Sequence, residues 1–476
     1  MAGDYQAFGA MRAGGVPDRI RAILAERAAH GLARERPELS AHIVITPTQA
    51  AVLILLGAAA IATLWEMRST AGIAAAIGLS LTFLTGVAFR AALALIGPRH
   101  AARALRAADD TLPLYTILVP LLREANVLPR LARALLLLDY PKEKLEILLI
   151  VEEDDRETRA MAEHLEGRGP FEAVCVPRGK PQTKPRALNY ALNFARGEFA
   201  VVYDAEDRPE RDQLREAVAA FRAGPQTLAC LQARLNFFNA RDSWLTRLFA
   251  LDYALWFDSL LPALDRLGVP MPLGGTSNHF RTEVLRTLGG WDAFNVTEDA
   301  DLGIRIAQLG RRVAMLDSTT FEEAPCRFDV WLRQRTRWMK GYMQTWLVHT
   351  RRPFALVRNA GLVGALAFHL FIGGAVFAAL AAIPLWMVFI WSLLQPRSAM
   401  DLPLAIFAAG NLLQTALAMA SPVRRGWRDL SPYGLSVAAY WAMISLAAAR
   451  ALVQLARDPF RWEKTEHGLR RRSAVS

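Results

Sequence analysis

Residues 199–209 read FAVVYDAEDRP. Phe199 to Tyr203 is a run of aromatic, β-branched and small apolar residues, the composition of a buried strand. It passes directly into Asp204, Glu206 and Asp207. Carboxylates packed this closely repel one another unless a cation sits among them. The stretch therefore predicts a strand that delivers acids to the edge of a buried sheet, and a positive group that meets them there.

Three other runs have the same character. TILVPL (116–121), EILLIV (146–151) and AVCVP (173–177) read as parallel strands buried on both faces. Helical patterns at Ala125–Leu138, Arg156–Leu165 and Pro185–Ala195 separate them. Strands alternating with helices predict an α/β domain with a mostly parallel sheet, spanning about 111–350. In such sheets ligands bind beyond the carboxyl ends of the strands.

The flanks are different. Five stretches carry no Asp, Glu, Lys or Arg: 48–65, 71–89, 359–396, 402–423 and 430–449. Each approaches or exceeds the ~20 residues that span a bilayer. Overall, 53% of the 476 residues are hydrophobic and the mean hydropathy is +0.18. Both values are high for a purely soluble chain, whereas 21% charged residues excludes a bundle of membrane helices alone. The net charge of +11 comes with arginines beside the apolar runs, which points to a lipid surface and not to nucleic acid. Cys175, Cys230 and Cys326 are far apart and form no metal motif, as expected in a reducing compartment.

This organisation divides the chain into an N-terminal cytoplasmic segment (1–43, with an amphipathic pattern at Ile20, Ile23 and Leu24), a transmembrane hairpin (44–96), a cytoplasmic α/β domain (97–350), C-terminal transmembrane and interfacial helices (351–456) and a basic cytoplasmic tail (457–476). The expected location is the inner (plasma) membrane, with several crossings. Arg99, Arg103 and Arg106, against Arg68 alone in the hairpin loop, put the α/β domain in the cytoplasm. Arg424, Arg425 and Arg428 ask for the same side as Arg457, Arg461, Lys464, Arg470, Arg471 and Arg472. Either 430–449 is interfacial or re-entrant, or 359–396 crosses twice around Pro384.

Two more acidic groups accompany the first. EILLIV runs into Glu152-Glu153-Asp154-Asp155, and Glu298, Asp299 and Asp301 open a predicted helix. Any one of these suits a solvated loop or a helix N-terminus. Converging, they could hold a divalent ion and perform base chemistry. A cationic helix complements them: in QRTRW, Gln334, Arg337 and Trp338 share one face by their i, i+3, i+4 spacing. A guanidinium fork binds diphosphate oxygens and an indole stacks on a sugar ring. A basic helix resting on lipid headgroups would explain Arg333 and Lys340 instead.

A strand-end acid, DAED, TED and QRTRW, in that order between apolar helices, resemble the membrane-embedded family 2 glycosyltransferases, which include the cellulose, hyaluronan and bacterial glucan synthases. The resemblance covers roughly residues 45–470, and WEKTEHGL (462–469) is similar to the bacterial glucan-synthase subgroup. It implies a GT-A-like fold and an inverting hexosyltransferase that moves a sugar, with glucose the leading expectation, from a UDP-sugar to a β-glucan or another polysaccharide or glycan acceptor, with coupled translocation and export partner subunits as further expectations. Asp204 and Glu206 match the acids that hold Mg2+ or Mn2+, and Asp299 matches the general base. Gln334, Arg337 and Trp338 match the motif that contacts the diphosphate and acceptor, and Lys184 the basic residue near the nucleotide. Glu152 and Asp154 are the acids assigned to the nucleobase. Leu122 stands where the family carries an aromatic.

Gly274–His279 falls in the family's acceptor region, where His279 is either an acceptor contact or structural. Trp386, Trp391 and Trp441 either line a polymer path or anchor at the membrane interface. Arg424 to Arg428 has an RxxxR spacing, also used by some cyclic-di-GMP receptors. The competing functions are transfer of one sugar to a lipid carrier and a non-enzymatic receptor on a degenerate transferase fold. A channel is disfavoured because no charge lies deep in the main apolar runs.

Overall fold

A computed structural model of the chain describes residues 15–65, 70–97, 108–392 and 401–463. Arg68, Arg99, Arg103, Arg106, Lys464, Arg470, Arg471, Arg472 and the side chain of Trp391 lie outside the described residues.

The chain begins with α1 (Asp18–Glu35), α2 (Pro47–Trp65) and α3 (Thr70–Ile96). The sheet domain opens with β1 (Tyr115–Leu121), α4 (Leu128–Leu136), β2 (Leu145–Glu152), α5 (Arg156–Leu165), β3 (Phe171–Val176), α6 (Lys184–Ala191) and β4 (Phe199–Val202). It continues through β5 (Arg208–Pro209), α7 (Gln213–Ala223), β6 (Leu228–Phe237), α8 (Trp244–Leu255) and α9 (Leu261–Leu267). Then come β7 (Asn278–Arg281), α10 (Thr282–Thr287), α11 (Glu298–Gln308) and β8 (Arg312–Glu322). Long helices follow: α12 (Phe328–Thr350), α13 (Pro353–Phe368), α14 (Gly374–Ser392), α15 (Asp401–Ala420) and α16 (Val437–Arg457).

The eight strands form one sheet in the order β3-β2-β1-β4-β7-β6-β8-β5. The four runs read as strands are parallel neighbours. β7 pairs antiparallel with both β4 and β6, and β8 runs parallel to β6. The carboxyl ends of β1, β2, β4, β6 and β8, and the amino end of β7, therefore lie along one edge. Side chains alternate across the sheet. Ile117, Val119, Ile147 and Val201 join one core with Leu131 of α4 and Leu214 of α7. Leu118, Leu148, Ile150 and Val202 join the opposite core with Leu188 of α6 and Leu24 of α1. Burial on both faces is why these strands read as continuous apolar runs.

Among the described residues, four helical stretches are long and apolar enough to cross a membrane: Gly72–Ile96, Pro353–Met387, Asp401–Arg425 and Arg428–Arg457. A shorter apolar stretch, Pro47–Ala59, precedes them within α2. Phe83 and Val87 of α3, Ala381 and Leu385 of α14 and Phe407 of α15 form a separate apolar core. Trp386 packs there against Phe389 and Phe407.

Two observations bear on the C-terminal helices. First, 359–396 does not fold back at Pro384, which lies inside α14. The break is earlier, at Gly361, whose φ of 73° no helix accommodates. Second, α16 lies along α12. Tyr440 meets Trp331 at a ring separation of 5.3 Å, Arg450 Nη1 donates to Thr336 Oγ1 at 3.1 Å, and the chain beyond α16 reaches Lys340, whose Nζ donates to Arg461 O at 2.9 Å. Both ends of α16, and the segment that follows it, thus rest against α12. Lys340 is fully buried and holds this returning segment, not lipid headgroups.

Candidate active site

One cavity runs along the carboxyl edge of the sheet. It gathers Glu152 from the end of β2, Lys184 from the start of α6, Asp204 and Glu206 from beyond β4, Asp299 from the first turn of α11, and Gln334, Arg337 and Trp338 from α12. These are the residues expected from sequence, with one exception. Asp154 is not among the lining residues; it accepts a hydrogen bond from Gln182 Nε2 at 3.1 Å on the surface. Leu122, in the turn after β1, does line the cavity.

The acids after β4 divide their roles. Lys184 Nζ stands 2.6 Å from Asp204 Oδ1 and donates to Gly275 O at 2.6 Å. Burial opposes its charge, but the fields of Asp204, Asp299 and Glu298 outweigh burial and hold the ammonium above its usual range. Burial, then the fields of Asp204 and Glu124, push the Glu206 carboxyl well above its ordinary value. Asp207 neither pairs with Arg208 nor caps a helix. Its Oδ2 accepts from Asp204 N at 2.8 Å and from Thr276 Oγ1, so it shapes the turn that presents Asp204.

Asp299 is buried, and its Oδ1 has no hydrogen-bond partner. Burial and the neighbouring Glu298 carboxylate raise it well above the carboxylate range, against the pull of Lys184. Gln334 Oε1 and Arg337 Nε are also buried without partners. Buried polar atoms without partners are rare in proteins, and along one cavity they mark a place built for a polar ligand. Arg337 Nη1 donates to Val296 O at 3.1 Å, and its guanidinium faces the Trp462 ring at 4.6 Å. Trp338 stacks on Tyr253 with ring centres 6.1 Å apart.

The carboxylates and the cation already lodged on Asp204 fit a divalent ion there. Among the described residues no three acid, histidine or cysteine side chains converge closely enough to hold one unaided. That suits an ion completed by substrate phosphates, as Mg2+ commonly is.

Sequence reasoning missed Glu322, which lines the cavity from the end of β8. Burial and the fields of Asp207, Glu206 and Asp204 raise its carboxyl well above the usual value. Its signal was weak: in TTFEEAP (319–325) the acids follow two β-branched threonines and Phe321, a polar strand end without the apolar run of the others. Trp462, the first residue of WEKTEHGL, also lines the cavity, with the Arg337 guanidinium over its ring. His279 is not in the lining: it is buried, bonded to Tyr115 Oη at 2.7 Å and Gln213 Oε1 at 3.2 Å. Burial lowers it to about 3, so it is a neutral structural histidine.

An open, mostly parallel sheet with acids and a Gln-Arg-Trp helix face at its carboxyl edge defines a GT-A-like glycosyltransferase domain. Residues 113–341 match the family model described as "Glycosyltransferase like family 2". The chain therefore carries a family 2 glycosyltransferase domain. It is similar to the probable glycosyltransferase YdaM of Bacillus subtilis, 26% identical over 251 residues, covering 52% of this chain and 60% of that protein. It is also similar to the beta-monoglucosyldiacylglycerol synthase of Synechocystis sp., 25% identical over 374 residues, 75% of each chain. Among solved structures, the mannosyltransferase PcManGT from Pyrobaculum calidifontis, in complex with GDP-Man and Mn2+, superposes with a TM-score of 0.51 at 23% identity, covering 84% of this chain and 99% of that one; this likeness is one of fold. The chain spans 60% of the length of the Bacillus protein and 53% of two further curated relatives.

Proposed function

We propose that the protein is a membrane-associated, inverting hexosyltransferase that moves one sugar from a UDP-sugar, with UDP-glucose the first donor to test, to a hydroxyl on a lipid. One observation carries this reading. The cavity that holds Asp204, Asp299 and Arg337 is also walled by Arg90 of α3, Ala375 of α14 and Trp441 and Ile444 of α16, helices of membrane-crossing length and composition. A lipid-borne acceptor can enter such a cavity from the side. The beta-monoglucosyldiacylglycerol synthases among the relatives, whose names state a lipid product, support the same choice. A polysaccharide product, as the family resemblance implies, is the outcome that replaces it.

Asp204 and Glu206 would hold Mg2+ or Mn2+, which neutralises charge on the leaving diphosphate. Arg337 binds diphosphate oxygens, and Trp338 on Tyr253 forms an apolar wall for a sugar. Asp299 takes the proton of the acceptor hydroxyl as that oxygen bonds to the anomeric carbon. The bond from that carbon to the diphosphate breaks, and the nucleoside diphosphate leaves.

Purified protein in vesicles is expected to convert labelled UDP-glucose into a lipid bearing one sugar. Asp299→Asn should lower kcat by about 10²–10⁴-fold while UDP binding, followed by calorimetry, persists. Near-normal turnover in that variant removes the base assignment. A water-soluble polymer as the main product removes the lipid acceptor.

A further inference from the structure

The cavity is electrically two-ended. Carboxylates collect at the sheet edge, whereas a cation stands among the apolar helices. That cation is Arg90. In sequence it follows an apolar run ending at Phe89, but α3 continues to Ile96, so Arg90 lies within the stretch Gly72–Ile96. Its guanidinium faces the Trp441 ring at 5.0 Å. Asp252, the carboxylate lining this part of the cavity, is bound by Arg335 at 2.7 Å. No acidic side chain among the described residues forms an ion pair with Arg90. Arg335 thus occupies the carboxylate at this end of the cavity, and Arg90 faces the cavity without an ion-pair partner among the described residues.

A cation in an apolar wall is unfavourable unless an anion meets it, and an arginine within a membrane helix marks a functional site by default. A neutral hydroxyl would offset the charge only in part. Phosphate oxygens match the guanidinium fork and form charge-assisted hydrogen bonds with it.

We propose that Arg90 anchors the phosphate of an acceptor lipid, a glycerophospholipid whose headgroup also carries the hydroxyl that receives the sugar. The acyl chains would lie against α3, α14 and α16, where Leu95 and Leu446 are exposed on the outer surface. This inference rests on the lipid-acceptor reading above and narrows it to an anionic lipid.

The test compares binding of dioctanoyl phosphatidylglycerol and dioctanoylglycerol to the full-length protein in detergent, with UDP binding measured alongside to report an intact fold. The wild type is expected to bind the phospholipid at least about tenfold more tightly than the neutral lipid. Arg90→Gln should reduce that ratio to near one, and Arg90→Lys should restore part of it. Inorganic phosphate at the same concentration should displace the phospholipid poorly, which separates a lipid headgroup from free phosphate. Equal affinity for both lipids in the wild type, or a ratio unchanged in Arg90→Gln, overturns the proposal. Efficient displacement by phosphate overturns its lipid half. The lipid-acceptor reading fails separately: labelled UDP-glucose would then give no glycolipid from either lipid, whatever the binding ratio.

Discussion

The acids of Glu152-Glu153-Asp154-Asp155 coexist because each faces a different partner. Glu152 meets Arg186 at 3.4 Å, Glu153 accepts from Arg178 N at 3.2 Å, Asp154 accepts from Gln182, and Asp155 caps α5 by accepting from Thr158 N at 3.3 Å. Only Glu152 is turned into the cavity. Burial lifts its carboxyl to about 7 against the pull of Arg186. A carboxyl raised in this way is ionised only above the new value, so its charge is lost as pH falls through 7. As the proposed acceptor for a nucleobase N–H, Glu152 should make UDP binding weaken below pH 7, by at most about tenfold per pH unit. Calorimetry between pH 5.5 and 8.5 measures this, and Glu152→Gln should flatten the profile. An unchanged profile in that variant would assign the base contact elsewhere.

Among the elements, α12 organises the site. One face carries Gln334, Arg337 and Trp338 into the cavity. Another is held by Arg335, which donates to Asp252 Oδ2 at 2.7 Å and to Tyr440 Oη at 2.6 Å. Its next turn approaches Thr297, just before Asp299, so closely that a Cβ on Gly341 would run into the Thr297 side chain. Only glycine allows this approach. The contact sets the separation between Arg337 and Asp299, the groups assigned to the leaving group and the base. Gly341→Ala should cost about 1–3 kcal/mol of stability by overpacking, read as a lower Tm. It should also reduce kcat, because the two assigned groups would be pushed apart. A variant with wild-type Tm and kcat would show that the two helices are not held at this point. A π-helical turn at Trp256–Leu260 acts similarly: it points Trp256, Phe257 and Leu260 into the same cavity, as such bulges often do at functional sites.

At the scale of the molecule, buried ion pairs join the apolar helices to the sheet domain. Arg425, after α15, holds Asp258 of the π turn through contacts of 2.5 and 2.8 Å, and Asp258 is 3% exposed. Arg424 donates to Ala94 O of α3 at 3.0 Å. Of the two arginines with RxxxR spacing, Arg424 is thus engaged by α3, and Arg425 between them is engaged by Asp258. Removing one partner leaves the other charge buried, so Arg425→Ala should destabilise by about 3–5 kcal/mol. A paired change of Arg425→Met with Asp258→Leu should recover most of that loss. Thermal unfolding in detergent distinguishes them, and equal Tm values for Arg425→Ala and wild type would show that the pair contributes nothing.

Local sequence determined the parallel half of the sheet, the apolar helices and most of the candidate site. Strands buried on both faces must be apolar throughout, and acids at their ends stand out against that background. The antiparallel strand β7 was not legible, because NHFR (278–281) carries polar side chains that find buried partners only after folding. The course of α16 was also undecided in sequence, since length and hydropathy are the same for a helix that crosses a bilayer and one that lies on a protein. What α16 packs against comes from the tertiary structure: Arg335, Thr336 and Lys340 receive its residues and those that follow along α12. Likewise, which acid of each cluster enters the cavity depends on distant partners such as Thr276 and Arg186. Composition specifies that charges must be met, and only the tertiary structure chooses by what.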